Sequence, residues 1–169
     1  MVLVGPPALP PKMHSIHDGA DSLEDKLVRF ALSRRRHFRQ TEELAGEFRN
    51  SRSGANWIAG AHELMARLRK VEDGFGYESV CPPELEVRLY QEGFSSGVWK
   101  ASDFGGPALL IGADPSVQKA PPTAAINRSL AEEGGFRYAA IRGCGHLVQL
   151  EQPELAAELV HGFVNELGI

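Results

Sequence analysis

The fold of this chain is decided near its carboxyl end by the stretch 136–146, which reads FRYAAIRGCGH. Its first six residues are mostly apolar and predict a strand, which a Gly-x-Gly turn at Gly143 and Gly145 brings to an end. His146 follows this turn, and an amphipathic helix with Pro153 at its first position comes next. A strand that ends in glycines before a histidine is a common way to hold a catalytic imidazole at the rim of a sheet.

A second apolar stretch lies upstream and places a helix between two strands. The run Ala108–Ile111 is continuously apolar, which is typical of a strand buried on both faces of a parallel sheet. A helix is predicted from about Pro122 to Glu133, and the strand at 137–142 follows it. The order strand, helix, strand, helix predicts βαβ units and an α/β fold with a small parallel sheet. The apolar run Met1–Gly5 predicts a third strand of this sheet.

Between the first and second strands, the sequence predicts a mostly helical block without a strong strand. Apolar residues recur at helical spacing in four segments, at about residues 21–36, 41–50, 56–71 and 82–90. We therefore divide the chain into three parts: a core strand with its loop at 1–14, a helical insertion at 15–104, and a further part of the core at 105–169.

The composition indicates an ordinary globular protein. The chain has 169 residues, enough for one domain with an insertion, and its net charge of −4 gives no general attraction to nucleic acid or to an anionic membrane. No apolar run approaches the roughly 20 residues of a membrane-spanning helix. The start lacks the basic segment of a signal peptide, and the carboxyl end Leu167–Ile169 is not a Ser-Lys-Leu signal. We expect a cytoplasmic protein without nucleic-acid or membrane partners.

The residue types that bind metals are scattered along the sequence. His14 and His17 lie three residues apart, but no further ligand clusters with them. Cys81 and Cys144 show neither metal-site spacing nor a disulfide framework. We therefore expect no metal site and a structural role for Cys144.

Asp114 and His146 form the candidate functional pair. Each follows a predicted strand, and the carboxyl ends of neighbouring parallel strands meet at one edge of a sheet, where ligands bind in such folds. A carboxylate beside an imidazole fixes its tautomer and stabilises the imidazolium that forms when it acts as a base. Two simpler interpretations stay open. Asp114 in Gly-Ala-Asp-Pro is also a typical turn former, and His146 could cap the next helix.

These segments resemble the α/β-hydrolases. The stretch 107–114 resembles the strand that carries their catalytic acid, and 143–146 with 151–154 resembles their catalytic histidine segment and final helix. Residues 34–38, 42–43 and 81–86 are similar to the helical cap of one subgroup, which includes hydrolases of fungal secondary-metabolite and toxin pathways. The resemblance implies a partial α/β-hydrolase fold that hydrolyses a small-molecule ester or acyl bond without a cofactor. Asp114 would be its acid and His146 its base.

The resemblance also implies a serine nucleophile on a strand–turn–helix elbow that precedes the cap, and hence precedes Met1. The stretch 93–97 does match Gly-x-Ser-x-Gly, but we reject Ser95 as the nucleophile because a predicted helix, not a buried strand, comes before it. The expected function is therefore hydrolysis in a complete enzyme whose nucleophile is absent from this chain. The alternative is a truncated or degenerate hydrolase fold without activity, acting as a binding module or representing an incomplete gene product.

Other features have less specific interpretations. Trp57, Met65, Phe94 and Trp99 are candidates for a substrate pocket, although ordinary packing is favoured for the first two. The run Arg34–Arg36 could bind phosphate, but a solvated helix end is favoured. A sheet that lacks its earlier strands should leave unpaired edge groups, so we expect possible self-association through an exposed sheet edge.

Overall fold

The computed structural model describes residues 1–4, 17–18, 21–71, 76–95, 105–117 and 120–168. In chain order the elements are β1 (Val2–Val4), β2 (His17–Asp18), β3 (Asp21–Ser22), α1 (Leu23–Leu32), β4 (His37–Phe38), α2 (Thr41–Asn50), α3 (Ala61–Met65), β5 (Leu68–Lys70), β6 (Tyr77–Ser79), α4 (Pro83–Ser95), β7 (Leu109–Ala113), α5 (Pro122–Gly134), β8 (Arg137–Ile141), α6 (Val148–Glu151) and α7 (Pro153–Glu166).

The chain divides into two compact units. The sheet unit comprises residues 1–13, 56–58 and 99–169, and the helical unit comprises 14–55 and 59–98. No helix in the described part of the chain is both long and apolar enough to cross a membrane.

The sheet unit is built on a three-stranded parallel sheet in the order β1-β7-β8. The central strand β7 is buried at all five positions, as its continuous apolar run predicts. Leu109 and Ile111 join a core cluster with Val148 of α6 and Phe163 of α7. The residue between them, Leu110, packs instead with α5. The predicted α/β fold with a small parallel sheet is therefore confirmed.

The helical unit contains strands that the sequence analysis did not predict. The strands β4, β6 and β5 form an antiparallel sheet in that order, and β2 pairs with β3. The sequence analysis expected no strong strand in this block and therefore did not identify these short ones. These strands are two or three residues long, and they are stabilised by pairing between distant segments, such as His37 with Glu78. Short strands of this kind leave no periodic signal in the sequence.

The helix predicted over 56–71 is also wrong in its extent. Only Ala61–Met65 is helical, because Gly60 adopts a left-handed conformation (φ 83°) immediately before this segment. The segment Leu68–Lys70 pairs with β6, and the Arg69 guanidinium lies 2.7 Å from the Glu78 carboxylate. The ladder and this ion pair outweigh the local helical pattern.

Candidate functional site

A tight turn places His146 just beyond the carboxyl end of β8. The strand ends at Ile141, and Gly143 adopts a left-handed conformation with φ 74°. Glycine reaches this conformation without the steric cost that a side chain carries. Helix α6 begins two residues after His146, at Val148. The local sequence therefore positions the histidine between a strand end and a helix start, at the sheet edge where α/β proteins bind ligands.

A buried carboxylate holds the loop that carries His146. The Gly145 backbone N–H donates to Glu151 Oε2 at 2.8 Å, and Glu151 is only 6% exposed. A Cβ atom at Gly145 would lie 2.6 Å from Glu151 Oε1, so a side chain at this position would require the carboxylate to shift. The sequence analysis did not identify this role. The sequence feature that could have indicated this role is a carboxylate six residues after Gly145, at the last residue of α6.

The imidazole of His146 has its hydrogen bond to Thr123. The distance from Nδ1 to Thr123 Oγ1 is 3.0 Å, and Thr123 lies in the first turn of α5. Burial lowers the pKa of His146 below its ordinary value, because desolvation penalises the imidazolium. Among the described residues, Nδ1 is the only His146 ring atom with a hydrogen-bond partner. The lowered pKa favours the neutral imidazole, and Nε2 has no hydrogen-bond partner within the described part of the chain.

Asp114 lies at the same sheet edge but has other partners. Its backbone N–H donates to the Ile141 carbonyl at 3.2 Å, so the ends of β7 and β8 are adjacent. Oδ1 accepts hydrogen bonds from the Ser116 N–H (2.9 Å) and the Ser116 hydroxyl (2.6 Å), and Oδ2 accepts one from Arg142 Nε (3.2 Å). The bonds from Ser116, with a smaller effect of Arg142, lower the pKa of Asp114. These contacts match the turn-former interpretation. No hydrogen bond joins Asp114 to His146 within the described chain.

The remaining candidates are dispersed. Ser95 is the last residue of α4, so a helix precedes it. Trp57 is buried and belongs to the sheet unit, whereas Met65 is 42% exposed and belongs to the helical unit. Phe94 lies in α4, and Trp99 lies outside the described residues. The pocket assignment of these four residues stays a prediction.

The sequence analysis considered His14, His17 and the two cysteines as possible metal ligands. His14 lies outside the described residues, and His17 lies in β2. Over the ranges that the structure describes, no group of three or more histidine, cysteine, aspartate or glutamate side chains could hold a metal ion. The Cys144 thiol is buried, and desolvation, followed by the nearby Glu151 carboxylate, raises its pKa. A raised pKa suits a structural thiol better than a reactive one.

The arginine run of the helical unit is engaged with carboxylates. Arg34 binds Glu86 (2.5 Å), and Arg35 binds Glu43 (2.7 Å) while its guanidinium lies 4.3 Å from the centre of the Phe38 ring. A groove of about 480 Å³ lies beside this ring, lined by Arg35, His37, Phe38, Arg39 and Glu43. Carboxylates already balance the charge of these two guanidinium groups, so the arginine run stabilises contacts within the helical unit.

The fold resembles those of known hydrolases. No protein-family model and no curated protein matches the sequence. Among solved structures, an E-2-(acetamidomethylene)succinate hydrolase matches with a TM-score of 0.67 and 15% identity, over 97% of this chain and 57% of the other. The peroxisomal α/β-hydrolase Lpx1 from Saccharomyces cerevisiae matches with a TM-score of 0.66 and 15% identity, over 98% and 45%. A marine microorganism esterase matches with a TM-score of 0.51 and 16% identity, over 96% and 59%.

The chain therefore has the α/β-hydrolase fold and spans about half the length of the solved structures it matches. None of the three proteins is described as a secondary-metabolite hydrolase. The subgroup that the cap residues indicated stays a prediction.

Proposed function

We propose that this chain is the histidine-bearing part of an α/β-hydrolase that cleaves an ester or related acyl bond of a small molecule. His146 is its general base and Asp114 its acid, and a serine outside this chain is the nucleophile. The observation that carries the proposal is the position of His146. It follows the end of a parallel strand, Nδ1 lies 3.0 Å from the Thr123 hydroxyl, and Nε2 has no hydrogen-bond partner among the described residues.

The chemistry follows from the protonation states of the two residues. His146 Nε2 takes the serine proton while the serine oxygen forms a bond to the acyl carbon, and the imidazolium then gives that proton to the departing alcohol. A water molecule repeats the two steps and releases the acid. The lowered pKa of His146 keeps it neutral and able to accept a proton, and the lowered pKa of Asp114 keeps its carboxylate charged.

The test begins with the gene. The reading frame upstream of Met1 is expected to encode an apolar strand, Gly-x-Ser-x-Gly and a helix. The longer protein is then assayed with p-nitrophenyl esters. His146→Ala is expected to lower kcat by on the order of 10³-fold or more, whereas His161→Ala, at an exposed position of α7, serves as the matched control. Full activity of His146→Ala would refute the assignment of the base.

The alternative is a degenerate hydrolase fold that acts as a binding module or represents an incomplete gene product. The observation that favours it is that Ser116 and Arg142 occupy both carboxylate oxygens of Asp114. An upstream frame without the serine elbow, together with no labelling of the purified chain by a fluorophosphonate probe, would favour this alternative. Labelling at Ser95 would instead overturn our rejection of that residue.

We also propose self-association through the sheet edges. Within the described parts of the sheet unit, β1 and β8 each pair with β7 alone, so each has one free edge. Free edges offer unpaired N–H and C=O groups to another chain. Light scattering after size exclusion is expected to show a mass above 18.4 kDa. A monodisperse monomer at high concentration would contradict this proposal.

A further inference from the structure

We infer that Thr123 is the positioning residue of His146, and that its hydroxyl accepts the hydrogen of Nδ1 and so leaves the lone pair of the imidazole on Nε2. This inference rests on the proposed role of His146 as a base. It differs from the assignment of that positioning role to Asp114, because it places a neutral hydroxyl where a carboxylate was expected.

The first step is the geometry of the contact. Thr123 Oγ1 lies 3.0 Å from Nδ1, a normal hydrogen-bond distance, and both residues are partly buried. Thr123 follows Pro122 at the start of α5, and the α5 helix packs against β7 and β8. The hydroxyl is therefore carried on a helix fixed to the same sheet that carries His146.

The second step is the choice of tautomer. A neutral imidazole has one N–H donor and one acceptor nitrogen, and a hydroxyl can be the partner of either. If Nδ1–H donates to Oγ1, Nε2 carries the lone pair and can accept a proton. If the hydroxyl donates to Nδ1 instead, Nε2 carries the hydrogen and cannot act as a base. The proposed reaction requires the first arrangement.

The third step is the state of Asp114. Oδ1 accepts two hydrogen bonds from Ser116, one from its backbone N–H (2.9 Å) and one from its hydroxyl (2.6 Å). Oδ2 accepts one from Arg142 Nε at 3.2 Å. These bonds close a turn directly after β7, and breaking them would leave that turn without its side-chain hydrogen bonds. Both carboxylate oxygens of Asp114 are therefore engaged in this turn, whereas Thr123 sets the orientation and tautomer of the ring.

The inference is tested by NMR of the chain labelled with ¹⁵N in its histidines. The spectrum is recorded at a pH where His146 is neutral, and its signals are assigned with His146→Gln. In the unsubstituted chain, Nδ1 is expected to be protonated and Nε2 unprotonated. Thr123→Ser should keep this tautomer, and Thr123→Val should convert the signals to a mixture of both tautomers. Ser129→Ala removes a different hydroxyl from α5 and is the matched control.

Three results would overturn the inference. The first is a protonated Nε2 in the unsubstituted chain, and the second is an unchanged tautomer in Thr123→Val. The third is a tautomer that changes in Asp114→Asn but not in Thr123→Val. The first of these needs no variant, so the test remains decisive if Thr123→Val does not fold. Because the tautomer is measured without turnover, the outcome is also separate from the proposed function. A longer protein without esterase activity would refute that function and leave the Thr123 contact intact.

Discussion

Glu151 makes a partly buried hydrogen bond to the Gly145 N–H, and its removal should weaken both the fold and the histidine loop. Replacing it with leucine keeps a side chain of similar size but removes the acceptor of the Gly145 N–H, which lies 2.8 Å from Oε2. Glu151 is 6% exposed, so water cannot readily take the place of the carboxylate. A fully buried donor left without a partner costs about 1–3 kcal/mol, which is the upper range for the partly buried Gly145 N–H.

The expected loss can be measured as a shift in thermal or urea unfolding. For a chain of this length, 1–3 kcal/mol corresponds to a decrease in Tm of roughly 2–12 °C. Glu151→Gln keeps an oxygen acceptor, so its expected loss is below about 1 kcal/mol. Glu158→Leu makes the same exchange at an exposed position of α7 and should change stability by less than about 0.5 kcal/mol.

A second measurement separates the loop from general stability. Hydrogen exchange of the Gly145 amide should become faster in Glu151→Leu than in Glu158→Leu, because only the first variant removes its acceptor. If both leucine variants unfold at the same urea concentration and the Gly145 amide exchanges equally in both, Glu151 does not hold this loop and the reasoning is wrong.

Three further predictions concern the backbone and the helical unit. A Cβ atom would meet nothing within 4 Å at either Gly46, inside α2, or Gly135, which follows α5 with φ 64°. Alanine should therefore stabilise the first site by about 0.5–1 kcal/mol and destabilise the second by about 1–2 kcal/mol, as urea unfolding will measure. Hydrogen bonds from two arginines lower the pKa of Glu78 below its ordinary 4.5, so its stabilising contribution is present above that value and is lost as the pH falls through the folded pKa. Glu78→Gln should lose less stability on acidification than the unsubstituted chain, and equal losses would exclude this contribution. Burial, followed by the Glu86 carboxylate, raises the pKa of Tyr90 to about 12. A titration by difference absorbance against Tyr90→Phe should show this value. Glu86→Gln should bring the pKa back towards 10.0.

The core strands could be predicted because a strand that is buried on both faces of a sheet consists of consecutive apolar residues. The run that predicted a strand at 108–112 forms β7 at Leu109–Ala113, and the segment 137–142 forms β8 at Arg137–Ile141. The helical unit was harder, because its apolar residues do not share one environment. Trp57 and Met65 matched one helical stripe, yet Trp57 is buried in the sheet unit and Met65 is exposed.

The candidate site shows the same division between local and distant information. The position of His146 follows from a strand and a glycine turn that are adjacent in sequence. Its partner Thr123 is 23 residues away, and their contact depends on how the first turn of α5 meets the end of β8. The Asx-type turn of Asp114 with Ser116 is local, and it was open as an alternative from the sequence. Which of the two residues binds the imidazole depends on tertiary packing, for which the sequence has no periodic signal.

The pairing of β1 with β7 has a consequence for how the protein folds during synthesis. The first strand binds a segment far along the chain, since the Met1 ammonium donates to the Pro107 carbonyl across 106 positions. At about 5–20 residues per second, a ribosome needs on the order of 5–20 s to make the partner strand. The pairing of β1 with β7 cannot form during this interval, while the helical unit emerges and can fold. β7, α5 and β8 are close in sequence, so their assembly has the smaller loop-closure cost, and the β7–β8 pairing is expected to form before the β1–β7 pairing.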